Sequence, residues 1–157
     1  MMFDRFPMEY QMDAKDCGPA SLKMVAKYYG RYYSLQYLRD RCGITREGVS
    51  MLGISSCAEE IGLRTLALKC SVEQLATKVP LPVIIHWNEN HFVVAYRADR
   101  RSVWVADPQK GRVKYTWPEF SKGWYMPGSC KGALLALEPT ATFGMTKAEK
   151  EHERNSF

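Results

Sequence analysis

Gln11-Met12-Asp13-Ala14-Lys15-Asp16-Cys17-Gly18-Pro19-Ala20 decides the fold of this chain, because a short, polar, irregular segment gives way there to a helix that starts at Cys17. Pro19 suits the first turn, where a missing N–H costs nothing, and Gly30 is placed to close the helix after Tyr28-Tyr29. A thiol at a helix start feels the positive end of the helix dipole and the unpaired first-turn amides. Both favour the thiolate, the reactive form of cysteine. An arbitrary cysteine is more often a small buried hydrophobe. Its place at a helix start beside Gly18, which leaves room for a substrate backbone to pass, moves Cys17 away from that default.

Outward from this stretch, Ser34 reads as the N-cap of a second helix ending near Gly43. A third runs from about Ser50 to Gly62, with Met51, Ile54, Ala58 and Ile61 spaced three or four apart. Beyond it the texture changes. Arg64 to Lys69 alternates weakly as a strand, and Ser71 caps a short helix to Lys78. Leu81 to Trp87, His91 to Arg97, Ser102 to Ala106, Arg112 to Thr116 and Lys131 to Leu137 are apolar runs of strand length. The turn signals Asn88-Glu89-Asn90, Asp99-Arg100-Arg101 and Pro108 to Gly111 separate them. Helices followed by antiparallel strands predict an α+β domain, with a helical N-terminal half packed on a C-terminal sheet.

His91 opens one of these strands, His91-Phe92-Val93-Val94-Ala95-Tyr96, where a ring can enter a cleft while the strand holds it. Asp107 closes the next, in Val105-Ala106-Asp107-Pro108. A hairpin through Asp99-Arg100-Arg101 sets the start of the first strand against the end of the second. A base and an orienting carboxylate then stand side by side. His86 is the competing base, but it has no such partner. The bland alternatives are a rim histidine and an ordinary Asp-Pro turn.

The 157 residues suit one domain, and 46% hydrophobic with 25% charged residues allow a real core without a metal or disulfides. The five cysteines form no Cys-x-x-Cys pair, which argues against a zinc ribbon and for reduced thiols. The net charge of +5 is scattered and serves solubility; no basic block predicts nucleic-acid binding. The longest apolar stretches are too short to span a bilayer, and no secretory signal is evident. From Pro139 the composition shifts, and Lys147 to Arg154 is a dense mixed-charge run. The expected division is a domain over 1–138 and a charged connector or tail over 139–157.

Taken with His86-Trp87, His91-Phe92-Val93-Val94 and Asp107-Pro108, the opening stretch resembles the N-terminal cysteine peptidase domain of peptidase-containing ABC transporters, the double-glycine peptidases of bacteriocin processing. The resemblance covers about residues 7–138 and includes the order of segments. It implies a papain-like fold with Cys17 as nucleophile, His91 as base, Asp107 as orienter and Gln11, with the Cys17 backbone amide, as oxyanion donors. It also implies cleavage of a precursor peptide after Gly-Gly or Gly-Ala, freeing a core peptide for export by the same polypeptide. Transmembrane and ATPase domains would be the partners, at the cytoplasmic face of a bacterial inner membrane. The peptidase would need no cofactor, and ATP would serve only the ATPase. The chain then reads as an excised domain or a stand-alone relative. Trp87 is the expected wall of a narrow channel beside Gly18, and Tyr28, Tyr29, Tyr32 and Tyr33 the expected leader groove. A related acyltransferase, a substrate-docking domain of the same fold and a plain binding module are the competing readings; an intact Cys17, His91 and Asp107 set argues against the last two.

Overall fold

A computed structural model describes residues 6–46 and 48–145; the charged run Lys147 to Arg154 lies outside the described residues. The order is α1 (Cys17–Tyr28), α2 (Leu35–Cys42), α3 (Met51–Glu60), β1 (Leu63–Cys70), α4 (Val72–Lys78), β2 (Val83–Trp87), β3 (His91–Ala98), β4 (Ser102–Asp107), β5 (Gly111–Thr116), α5 (Trp117–Trp124) and β6 (Gly132–Pro139). Local chemistry sets the boundaries. The Ser34 and Ser50 hydroxyls accept from Tyr37 N and Gly53 N, each at 3.0 Å, so α2 and α3 start where an N-cap is available. Gly43 ends α2 at φ 67°, a left-handed conformation that a residue with a Cβ adopts with strain.

α5 is an element the sequence expectations lack, although Trp117, Phe120 and Trp124 stand three and four residues apart. Its signal is a capping box: Glu119 N donates to Thr116 Oγ1 at 3.3 Å while Thr116 N donates to Glu119 Oε1 at 2.7 Å, with a proline in the first turn. The helix lays Phe120 and Trp124 onto the sheet, and Gly123 lies against the Trp87 indole.

The six strands form one antiparallel sheet in the order β1-β6-β2-β3-β4-β5, so the last strand is inserted between the first two. Helices α1 to α3 cover one face, where Leu22, Met24, Leu38 and Ile54 meet Ile84, Phe92, Val94 and Leu135. On the other face Val72, Leu75, Phe120 and Trp124 meet Val83, Ile85, Val93 and Val105. A sheet covered on both sides has no polar face, which is why β2 and the start of β3 read as unbroken apolar runs rather than alternating ones. Among the described residues no helix is long and apolar enough to cross a membrane.

The expected boundary after residue 138 falls inside packed structure. β6 runs through Pro139, Thr140 N and Oγ1 both donate to Gly62 O, and Phe143 is buried in the core under α1 to α3. Gly62 makes this possible: an added Cβ would lie 2.5 Å from the Phe143 Cα. The compositional shift at Pro139 therefore precedes the end of the packed body by several residues.

Candidate active site

Cys17 is buried at the first position of α1. Ala20 N donates to Asp16 O at 2.9 Å, closing the first turn, so the Cys17 and Gly18 amides precede any acceptor within the helix. One turn on, buried Ser21 donates its hydroxyl to Phe92 O at 3.3 Å. That bond ties α1 to β3 one residue from His91, and it carries no local sequence signal.

The β3–β4 hairpin forms as expected, with Val94 opposite Ala106, and it brings His91 and Asp107 together. His91 Nε2 donates to Asp107 Oδ1 at 2.8 Å. Cys17 stands near enough to the ring to act on its titration. Because Nε2 is engaged by the carboxylate, Nδ1 is the ring nitrogen that serves the sulfur. Burial pulls the His91 pKa down, but the bond to Asp107 and the attraction of Asp107 and Cys17 outweigh it, leaving the group raised to about 9. Burial pushes the Asp107 carboxyl up, yet the His91 ring and the backbone amides of Gln109 and Lys110 hold it below its ordinary value. His86 is occupied elsewhere: its Nε2 donates to Glu89 O at 2.8 Å and its ring stacks on Phe92.

Gln11 sits beside the Asp107-Pro108 turn, its backbone N–H donating to Pro108 O at 2.9 Å. Its Nε2 donates to Asp13 O at 3.1 Å, and its Oε1 is buried without a partner. An amide nitrogen has two hydrogens, so one remains beyond the bond to Asp13. Asp16, one residue before Cys17, is fully buried and faces Arg39 of α2, with Asp16 Oδ1 2.9 Å from Arg39 Nε. Asp16 and Arg39 are 23 positions apart in different elements, so no local pattern links them.

Three sequence expectations are corrected here. The missing side chain of Gly18 faces Ile54 and Val49, so its smallness serves the packing of α1 on α3 rather than clearance for a substrate. Trp87 is 5% exposed and packs against Tyr115 and Phe120, so it supports the strand end beneath His91 instead of walling an open channel. The tyrosine group divides: Tyr33 is 3% exposed in the core and Tyr29 packs against it, whereas Tyr28 and Tyr32 reach solvent. Burial removes Tyr33 from any surface groove. Among the described residues no three His, Cys, Asp or Glu side chains are grouped to hold a metal ion.

A helix start that carries a thiol, set across an antiparallel sheet that carries a histidine–carboxylate pair, is the arrangement of a papain-like peptidase fold. Residues 5–129 match the peptidase C39 family, and the chain belongs to it. It is 37% identical over 139 residues to the lactococcin-G-processing and transport ATP-binding protein LagD of Lactococcus lactis subsp. lactis, covering 85% of this chain and 19% of that protein. It is 34% identical over 121 residues to the pediocin PA-1 transport/processing ATP-binding protein PedD of Pediococcus acidilactici, covering 73% of this chain and 17% of that one. The chain thus spans about a fifth of the length of the curated relatives it matches. Among solved structures it resembles a double glycine motif protease from an AMS/PCAT transporter, crystallised in complex with the leader peptide. That match has TM-score 0.78 and 36% identity, and covers 85% of this chain and 91% of the other. The peptidase domain of Streptococcus ComA, a bi-functional ABC transporter involved in a quorum sensing pathway, matches with TM-score 0.77 and 27% identity over 87% of this chain and all of that domain.

Proposed function

We propose that this chain is a cysteine endopeptidase that removes the leader from a bacteriocin-type precursor by cutting after a double glycine. The observation that carries the chemistry is the His91 ring, bonded to Asp107 through Nε2 and standing beside Cys17. With its pKa raised to about 9, His91 holds a proton at neutral pH and stands as an imidazolium beside the sulfur. Cys17 Sγ attacks the scissile carbonyl carbon, and the negative charge that develops on its oxygen is met by Cys17 N–H and the second Gln11 Nε2–H. The C–N bond breaks as His91 gives its proton to the leaving amine. A water molecule then attacks the thioester, His91 takes one of its protons, and the leader leaves as a carboxylic acid with the thiolate restored.

The double-glycine cut is supported by the fold and identity shared with the leader-bound double glycine motif protease, and a processing role by the names of the relatives. On the relatives' names the full protein would join the peptidase to transport and ATP-binding domains, and a place for this domain at the cytoplasmic membrane face is part of the same proposal. The competing acyltransferase would form the same thioester and hand it to an amine instead of water. Mass analysis of the products from a Gly-Gly precursor separates them. Hydrolysis yields a leader ending in a free carboxylate, and amine capture yields an amide.

A further inference from the structure

We propose that Asp16 and Arg39 are positioning residues for the oxyanion hole: their ion pair, anchored on α2, holds the turn on which the Gln11 amide rests. The inference builds on the peptidase reading of Cys17, His91 and Gln11. The contacts run in an unbroken chain. Arg39 Nε lies 2.9 Å from Asp16 Oδ1. Asp16 Oδ2 accepts from Asp13 N at 3.1 Å, and Asp16 N donates back to Asp13 O at 3.0 Å. That same Asp13 carbonyl accepts from Gln11 Nε2 at 3.1 Å. The Asp13 carbonyl is therefore shared by the turn and by the Gln11 side chain. Its place is set by a carboxylate that is 0% exposed, whose counter-charge is a side chain on a different helix.

A carboxylate buried in the turn before α1 needs an explanation, because leaving its charge unpaired is costly. Arg39 supplies the counter-charge. Its side chain is 34% exposed, so it can be changed without opening the core. Removing the guanidinium leaves Asp16 free to reorient, the Asp13–Asp16 turn loosens, and the Gln11 amide loses its fixed direction. Cys17, held at the start of α1 beside His91, has its own supports. The loss should therefore fall on transition-state charge stabilisation and spare the nucleophile.

The test is a double-mutant cycle on a double-glycine precursor with Arg39→Gln, Gln11→Ala and the pair, alongside the rate at which iodoacetamide alkylates Cys17. Gln11→Ala should lower kcat about a hundredfold, as loss of one oxyanion donor does. Arg39→Gln should lower kcat about tenfold, within the range that misplacing a positioning group costs, with KM little changed. In the Gln11→Ala background the Arg39→Gln change should cost almost nothing more, because its effect acts through that amide. Alkylation forms no oxyanion, so its rate should stay within about twofold of wild type, and Arg39→Lys should recover most of kcat because it restores the charge. Multiplicative losses in the pair, alkylation falling in step with kcat, or full kcat in Arg39→Gln would each overturn the proposal. Full kcat in Gln11→Ala would fault the oxyanion assignment itself, and the inference with it.

Discussion

His91 holds its proton because Asp107 and Cys17 both favour the charged ring, and that gives the residue a testable pH signature. Its pKa is raised from 6.5 to about 9, so the imidazolium form is fully present at neutral pH and is lost as pH rises through about 9. The same sign applies to stability: what the protonated ring contributes to the fold is complete below 6.5 and disappears on passing about 9. We expect kcat/KM to show an alkaline limb near 9. Asp107→Asn leaves a partner for the ring but removes the charge that raises the group, so this limb should move to lower pH while activity falls. A pH–rate profile of the two proteins decides it; an unmoved limb would assign the titration to another group. The places of Cys17 at a helix start and His91 at a strand start are legible in the sequence because their neighbours mark them. Gly18 was misread because glycine next to a nucleophile has two uses, and only the position of Ile54 and Val49 shows that packing is the one in force.

At the scale of elements, Phe143 offers the sharper test, since it lies beyond where composition places the end of the domain. It fills the space that Gly62 leaves and joins the core beneath α1 to α3. Phe143→Ala should destabilise the fold by about 3 kcal/mol, the lower end for deleting a buried phenylalanine, measured by urea denaturation. A loss under about 0.5 kcal/mol, the range of ordinary surface changes, would mean that the segment after β6 does not hold the domain together. The first four helices and all six strands could be read in advance because Ser34, Ser50, Ser71, Gly30 and Gly43 punctuate them and the strands are apolar runs between turn signals. α5 stands outside the sequence expectations although Trp117, Phe120 and Trp124 are three and four residues apart and Thr116 and Glu119 carry the capping signal; eight residues between two strands are a short stretch on which to read a helical period. Long-range pairings such as Thr140 to Gly62 or Asp16 to Arg39 leave no local trace, so they emerge only when the chain is folded.

For the whole molecule, two glycines before the cut offer almost no side-chain binding energy, so affinity must come from the leader upstream. An amphipathic leader helix docking its apolar residues on the helical face, where Tyr28 and Tyr32 are exposed, would supply it. Replacing leader apolar residues with alanine should then mainly raise KM, and valine in place of the glycine next to the cut should mainly lower kcat. Steady-state constants on the two peptide series test this division. A leaderless Gly-Gly peptide cut as efficiently as the full precursor would contradict it. The central claim, that Cys17 cuts a double-glycine precursor, is tested most directly by intact-mass analysis of that precursor after incubation with the wild-type chain and with folded Cys17→Ala. Two fragments separated at the bond after Gly-Gly are expected with the wild type, and an uncut peptide with the variant. Equal cleavage by Cys17→Ala, or a wild-type cut at another bond, would contradict it.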